Sequence, residues 1–207
     1  DTPYVSETLA LAYDTVWPLL RQDTEVVERA RACGLELGRP EDVVCLIEEM
    51  LASLLCCAMD GGAASNLPRV SQGVLVLLRA LDRADAQEVM TWLYDRGPDK
   101  LRVFGVNNFF PDGTPPESTG GYNNIHSNGL FALEYHLRKL RSLSPQAYAE
   151  AEFPSLLADP RAPRVALAPH EIGVLGKAFI QFGDGSAAPQ PGRYADEVYH
   201  APLAPET

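Results

Sequence analysis

Tyr122 and His126 stand four residues apart in the stretch DGTPPESTGGYNNIHSNGLFALEYHLRKLR, Asp112–Arg141. A phenol and an imidazole are side chains that give and take protons in catalysis. Their setting is a loop that runs into a helix. Pro115 and Pro116 lack an N–H and bias the residues before them towards extended backbone. Gly113, Gly120 and Gly121 supply turns, and Ser118 or Thr119 can cap the helix. Leu130, Leu133, Leu137 and Leu140 then recur at three- and four-residue steps, one face of an amphipathic helix. Projected backwards, that face passes through His126 and Tyr122. A polar pair at the open end of an apolar seam presents chemistry to a cleft. The competing reading is a pair of half-buried residues with their polar tips in water.

Few other residues compete for that role. Asn107-Asn108 precedes FFPDG and reads as turn chemistry. His170 follows Pro169 with no partner nearby in sequence. Asp184 in FGDGS is too thin for a cation site, which needs several oxygen ligands. A two-carboxylate hydrolase has only Glu117 with Asp112 to draw on, both in the proline-rich loop. No metal and no cofactor are expected.

The elements that must position the pair are helical. Apolar periodicity predicts helices over Val5–Leu20, Thr24–Leu35 with Asp23 as cap, and Pro40–Met59. Further helices are predicted over Pro68–Leu81, Asp85–Tyr94, Gly121–Leu143, Gln146–Leu157 and Pro169–Phe182. The third is hydrophobic nearly all round, through Leu46, Ile47, Met50, Leu51, Leu54 and Leu55, so it is expected at the centre. Leu101–Phe104 fits strand or helix. No stretch alternates as a sheet strand does, which makes the chain all-α, built of antiparallel helical hairpins. The tail from Gly183 is rich in Gly, Pro, Ala and acidic residues.

The 207 residues, 46% hydrophobic, suffice for one good-sized core. A net charge of −11 argues against a nucleic-acid partner, which needs a basic face. Arg69–Arg102 holds six Lys/Arg against five Asp/Glu, only a weak basic strip for an anionic ligand. No apolar run approaches the roughly 18 residues of a membrane span, so no membrane is expected. Cys33, Cys45, Cys56 and Cys57 lack the C-x-x-C spacing of a zinc or redox site and read as reduced core residues. That leans against a strongly oxidising compartment. The chain starts at Asp1 without a signal peptide and reads as the middle of something longer.

Four blocks carry a resemblance: DTPYVSETLALAYDTVWPLL (Asp1–Leu20), SNLPRVSQGVLVLLRAL (Ser65–Leu81), RGPDKLRVFGVNNFFPDGTPPESTGGYN (Arg96–Asn123) and GKAFIQFGDGSAAP (Gly176–Pro189). In order and spacing they resemble the heparinase II/III-like polysaccharide lyases, which include related alginate lyases. The resemblance implies an incomplete (α/α) toroid over residues 1–182. It also implies a 183–207 tail leading towards a β-sandwich domain that this sequence lacks, and a periplasmic or secreted setting. It implies an acidic polysaccharide as partner, cleaved beside a uronic acid by β-elimination.

That reaction needs the sugar carboxylate neutralised, a base for the neighbouring C–H and an acid for the departing oxygen. By resemblance, Asn66 falls where the family's neutralising amide sits, and Tyr122 matches the family's catalytic tyrosine. The alginate-cleaving relatives carry a His after that Asn, where this chain has Leu67. Read from the residues alone, Asn66 is an N-cap ahead of Pro68. A tyrosine base must ionise from about 10, which the N–H groups of a helix start favour. His126, one turn on, can add a donor. Glu117 and Asn123 flank Tyr122, and Arg69 and Gln72 follow Asn66 by one turn, as sugar contacts. The alternative is a non-catalytic piece that binds carbohydrate or only packs, and that self-associates through exposed apolar surface.

Overall fold

The computed structural model describes residues 2–63, 65–66, 68–116 and 121–171, with 173–174 and 178–179. The expected 183–207 tail lies outside the described residues. Apart from one two-residue hairpin, the regular structure described is helical. It divides into two compact units, residues 1–65 with 73–83 and residues 66–72 with 84–207.

The first unit holds α1 (Thr2–Leu20), α2 (Thr24–Ala32), α3 (Pro40–Met59) and the part of α4 (Arg69–Ala80) that follows Gln72. The capping signals act where the sequence places them. Asp23 accepts the Glu25 N–H at 2.8 Å and caps α2, and Pro40 occupies the first turn of α3. Asp42 accepts the N–H groups of Gly38 and Arg39 at 2.9 and 2.8 Å, which holds its carboxyl below the usual range. Helix α2 stops at Ala32, earlier than Leu35, because Gly34 turns left-handed at φ +87°. Both α1 and α2 pack on α3, and Tyr13 Oη donates to Glu48 Oε1 at 2.6 Å.

Helix α3 is the element on which α1 and α2 pack, but it is not buried all round as its composition suggested. Only Val43, Leu51 and Leu55 are buried along it, and Met50 is 55% exposed. The cysteines are corrected with it: Cys33, Cys45 and Cys56 are exposed and Cys57 is half-buried. An apolar arc wider than the helices covering it leaves its outer residues in water.

The second unit is built around α7 (Gly121–Leu143), whose bounds are those read from the sequence. The leucine stripe is buried as expected, and Phe131, Ala132, Glu134 and His136 are buried beside it. The unit also holds α5 (Ala86–Asp95), α6 (Phe104–Asn108) and α8 (Ala162–Glu171). Leu101–Val103, left open between strand and helix, is a 3-10 turn leading into α6. Asn108 Nδ2 donates to the Phe104 carbonyl at 3.1 Å, the backbone role expected there.

Two predicted helices are not formed as drawn. Gln146–Leu157 is a run of turns ending in the 3-10 turn Leu156–Ala158. The reason is Glu134, 1% exposed, whose Oε2 accepts the Leu156 N–H at 2.9 Å, while Arg141 donates to the Phe153 carbonyl at 2.7 Å. These bonds tie the segment to α7 as loop, with Phe153 buried 5.3 Å from the Tyr94 ring. The last helix begins at Ala162 rather than Pro169, after a turn in which Asp159 accepts the Arg161 N–H at 2.8 Å. It ends at Glu171, and β1 (Gly173–Val174) and β2 (Ala178–Phe179) form an antiparallel pair where helix was expected.

Candidate active site

The residues singled out for chemistry all belong to the second unit: Asn66, Arg69 and Gln72 before and in the first turn of α4, Tyr122, Asn123 and His126 at the start of α7, and Glu117 ahead of that helix in sequence. The start of α4 has an unusual cap. The Pro68 carbonyl accepts the first intrahelical hydrogen bond, from the Gln72 N–H at 3.0 Å, so Pro68 holds the N-cap position. Its ring offers no acceptor to the first-turn N–H groups, which must be satisfied elsewhere.

The same turn is tied by a side chain to Asp99, 28 residues away. Its carboxylate accepts a hydrogen bond from the hydroxyl of Ser71, in the first turn of α4. Ser71 is wholly buried and Asp99 is 2% exposed. Asp99 comes from the Gly97–Lys100 turn, where the Lys100 N–H donates to the Gly97 carbonyl at 3.2 Å. Lys100 itself has φ +45°, a left-handed conformation that costs a residue with a Cβ about 1–2 kcal/mol. Burial pushes the Asp99 carboxyl up to about 6, and the hydrogen bond from the Ser71 hydroxyl pulls the other way. Among the described residues its Oδ1 has no hydrogen-bond partner.

Asn66 is not the cap that its place before Pro68 suggested, because Pro68 itself holds that position. It is exposed, in a bend whose carbonyl accepts the Arg69 N–H at 3.0 Å. Arg69 and Gln72 are half-buried just beyond it.

The bend rests on α7. A Cβ at Gly129 would lie 2.3 Å from Pro68 Cγ, so only glycine allows the approach. A glycine inside a helix costs about 1 kcal/mol against alanine, and here the close packing accounts for it. Gly129 follows His126 by three residues and Tyr122 by seven. The three positions share one face of α7 over about two turns, roughly 10 Å.

Of the predicted site residues on α7, His126 is 6% exposed, more enclosed than the open end of a seam requires. Tyr122 and Asn123 occupy the first turn of the helix, and their side chains lie outside the described residues, as does Glu117. The structure thus joins the Asn66–Gln72 segment to the α7 face through Pro68 and Gly129. Among the described residues no group of three or more His, Cys, Asp and Glu is arranged to hold a metal ion, and no helix is long and apolar enough to cross a membrane.

No family model matches this chain, and neither a curated protein nor a solved structure does.

Sequence reasoning passed over Ser71 and Asp99, although both fall inside blocks that carry the resemblance. The signal was present in a negative form. A helix opening on Leu67-Pro68 has no good capping side chain at its first position, and Gly-Pro-Asp-Lys presents an acid on a tight turn.

Proposed function

We propose that this chain is the helical part, an (α/α) toroid segment, of a polysaccharide lyase acting on a uronic-acid-containing polysaccharide. In this reading the Asn66 amide hydrogen-bonds the uronate carboxylate and stabilises the enolate-like charge that develops as the neighbouring C–H is deprotonated. Tyr122 as phenolate takes that proton. The electron pair forms the carbon–carbon double bond, the glycosidic C–O bond breaks, and the departing oxygen takes the proton from Tyr122, which returns to phenolate. His126 supplies a hydrogen bond to the reacting groups, while Glu117, Asn123, Arg69 and Gln72 contact sugar hydroxyls.

The observation that carries this is the seat of Pro68 against Gly129. It sets the amide-bearing bend beside the α7 face on which the tyrosine and histidine positions fall, although 56 residues separate Asn66 from Tyr122. The exposed state of Asn66, with Pro68 rather than Asn66 at the N-cap position, leaves its amide available to a ligand.

The test is absorbance of the unsaturated uronate product when the chain is incubated with heparan sulfate, alginate and related polyuronates. Product formation that disappears in Tyr122→Phe is the expected result. Reducing ends without that chromophore would identify a hydrolase instead, and no cleavage of any polyuronate would leave the reading without support.

A further inference from the structure

We propose that Phe110 and Arg164 form a uronate-binding subsite, in which the phenyl ring receives the C–H face of one sugar and the guanidinium receives that sugar's carboxylate; the class of ligand rests on the lyase reading. The two residues come from the turn after α6 and from the first turn of α8. Arg164 Nη1 donates to the carbonyl of Pro111, the residue after Phe110, at 2.7 Å. Gly113 seats the same turn on the same helix. It is left-handed at φ +88°, and a Cβ there would lie 2.5 Å from the Val165 nitrogen.

The turn is also closed from within. The Phe110 N–H donates to the Thr114 carbonyl at 2.8 Å, and the Gly113 N–H to the Phe110 carbonyl at 2.9 Å. Asp112 Oδ1 accepts the Thr114 N–H at 2.9 Å and the Thr114 hydroxyl at 2.7 Å. Behind it, Phe109 is buried edge-on to Phe104, 6.0 Å between ring centres. Phe110 is nevertheless 53% exposed, and Val106 on α6 is exposed with it. A single exposed phenylalanine is ordinary. One on a locked turn beside an exposed arginine is a pre-formed pair, because neither backbone has to be ordered when a ligand arrives. Among the described residues Arg164 forms no salt bridge, in a chain with 28 acidic residues against 17 Lys and Arg. Its Nε and Nη2 remain as the fork that takes a carboxylate through two parallel hydrogen bonds. The size of the apolar surface selects the occupant. A phenylalanine buries at most roughly 200 Å², far below the roughly 1,200 Å² of a stable protein interface, and that area matches one sugar ring.

The experiment titrates the full chain calorimetrically with oligosaccharides of alginate and of heparan sulfate, and with the same sugars after their carboxylates are reduced to alcohols. Phe110→Ala should weaken binding of both the charged and the reduced sugars about tenfold, and Phe110→Tyr, which keeps a ring, should bind as wild type. Arg164→Gln should weaken the charged sugars about tenfold and leave the reduced ones unchanged. Phe110→Ala with wild-type affinity overturns the proposal, and so does an Arg164→Gln loss that is equal for charged and reduced sugars. The exposed Phe110 can be truncated without loss of fold. Should Arg164→Gln melt lower than wild type because the turn has come loose from α8, the two Phe110 variants decide the matter. A wild-type chain that binds none of these sugars also overturns the subsite. Release of unsaturated product is read separately. Binding with the expected variant pattern but no product would sink the lyase reading and uphold the subsite, whereas product formation with KM unchanged in Phe110→Ala would do the reverse.

Discussion

A carboxyl group that resists ionising inside the protein gives stability a definite pH dependence. For Asp99 the native value of about 6 lies above the ordinary 3.8, so between those values the folded state holds a proton the unfolded state releases. The folded state is therefore favoured most below about pH 4, and that advantage is lost as pH rises through 6. The difference corresponds to roughly 3 kcal/mol. Asn at this position does not titrate. Thermal unfolding of wild type and Asp99→Asn should thus diverge in the variant's favour between pH 4 and pH 7, and a constant difference across that range would refute the assignment of the titration to Asp99. The second residue to test is His126, because it is buried. If it serves the reaction, His126→Ala lowers kcat by about a hundredfold, the low end of what proton-transfer groups contribute. A core histidine would instead give a large fall in melting temperature with activity per folded molecule unchanged.

Between elements, the decisive contacts are those that α7 makes. Gly129→Ala puts a methyl group into the Pro68 ring, and overpacking of that kind costs about 1–3 kcal/mol. The proposed function predicts more, since the bend carrying Asn66 must shift with Pro68. Urea unfolding and kinetics on one preparation should show lost activity exceeding what the unfolded fraction explains; activity that tracks the folded fraction would place Asn66 away from the reaction. On the far half of the helix, Glu134 receives Arg138, Arg141 and the Leu156 N–H within the core. Glu134→Ala strips partners from a mostly buried arginine and a buried main-chain donor. It should cost about 3–5 kcal/mol by urea denaturation, and a cost under about 1 kcal/mol would contradict that network.

At the scale of the whole chain, apolar side chains in water set the expected behaviour. Leu19 is 69% exposed and Met50 55%, with Leu9, Val16 and Trp17 also exposed on α1. A net charge of −11 opposes association of such surfaces, and salt screens that repulsion. Sedimentation velocity should therefore show self-association that strengthens with added salt and weakens in a Leu19→Ser, Met50→Ser double variant. A monomer at every concentration and salt level would rule it out.

Local signals were legible wherever a segment decides its own conformation. The all-α class, the bounds of α7, its buried leucine stripe, the Asp23 cap and Pro40 in the first turn of α3 all come from periodicity and capping chemistry that involve neighbours within about four residues. The exposure of α3 and its cysteines, the loop form of Gln146–Leu157 and the buried tie between α4 and the Gly97–Lys100 turn do not. The first depends on how many helices cover an apolar arc, a question of assembly. The second is settled by Glu134 and Arg141, which satisfy backbone groups that a helix would otherwise have satisfied internally. The third lies between Ser71 and Asp99, 28 residues apart, and no window of sequence contains the free energy that burial and a hydrogen bond at that distance confer.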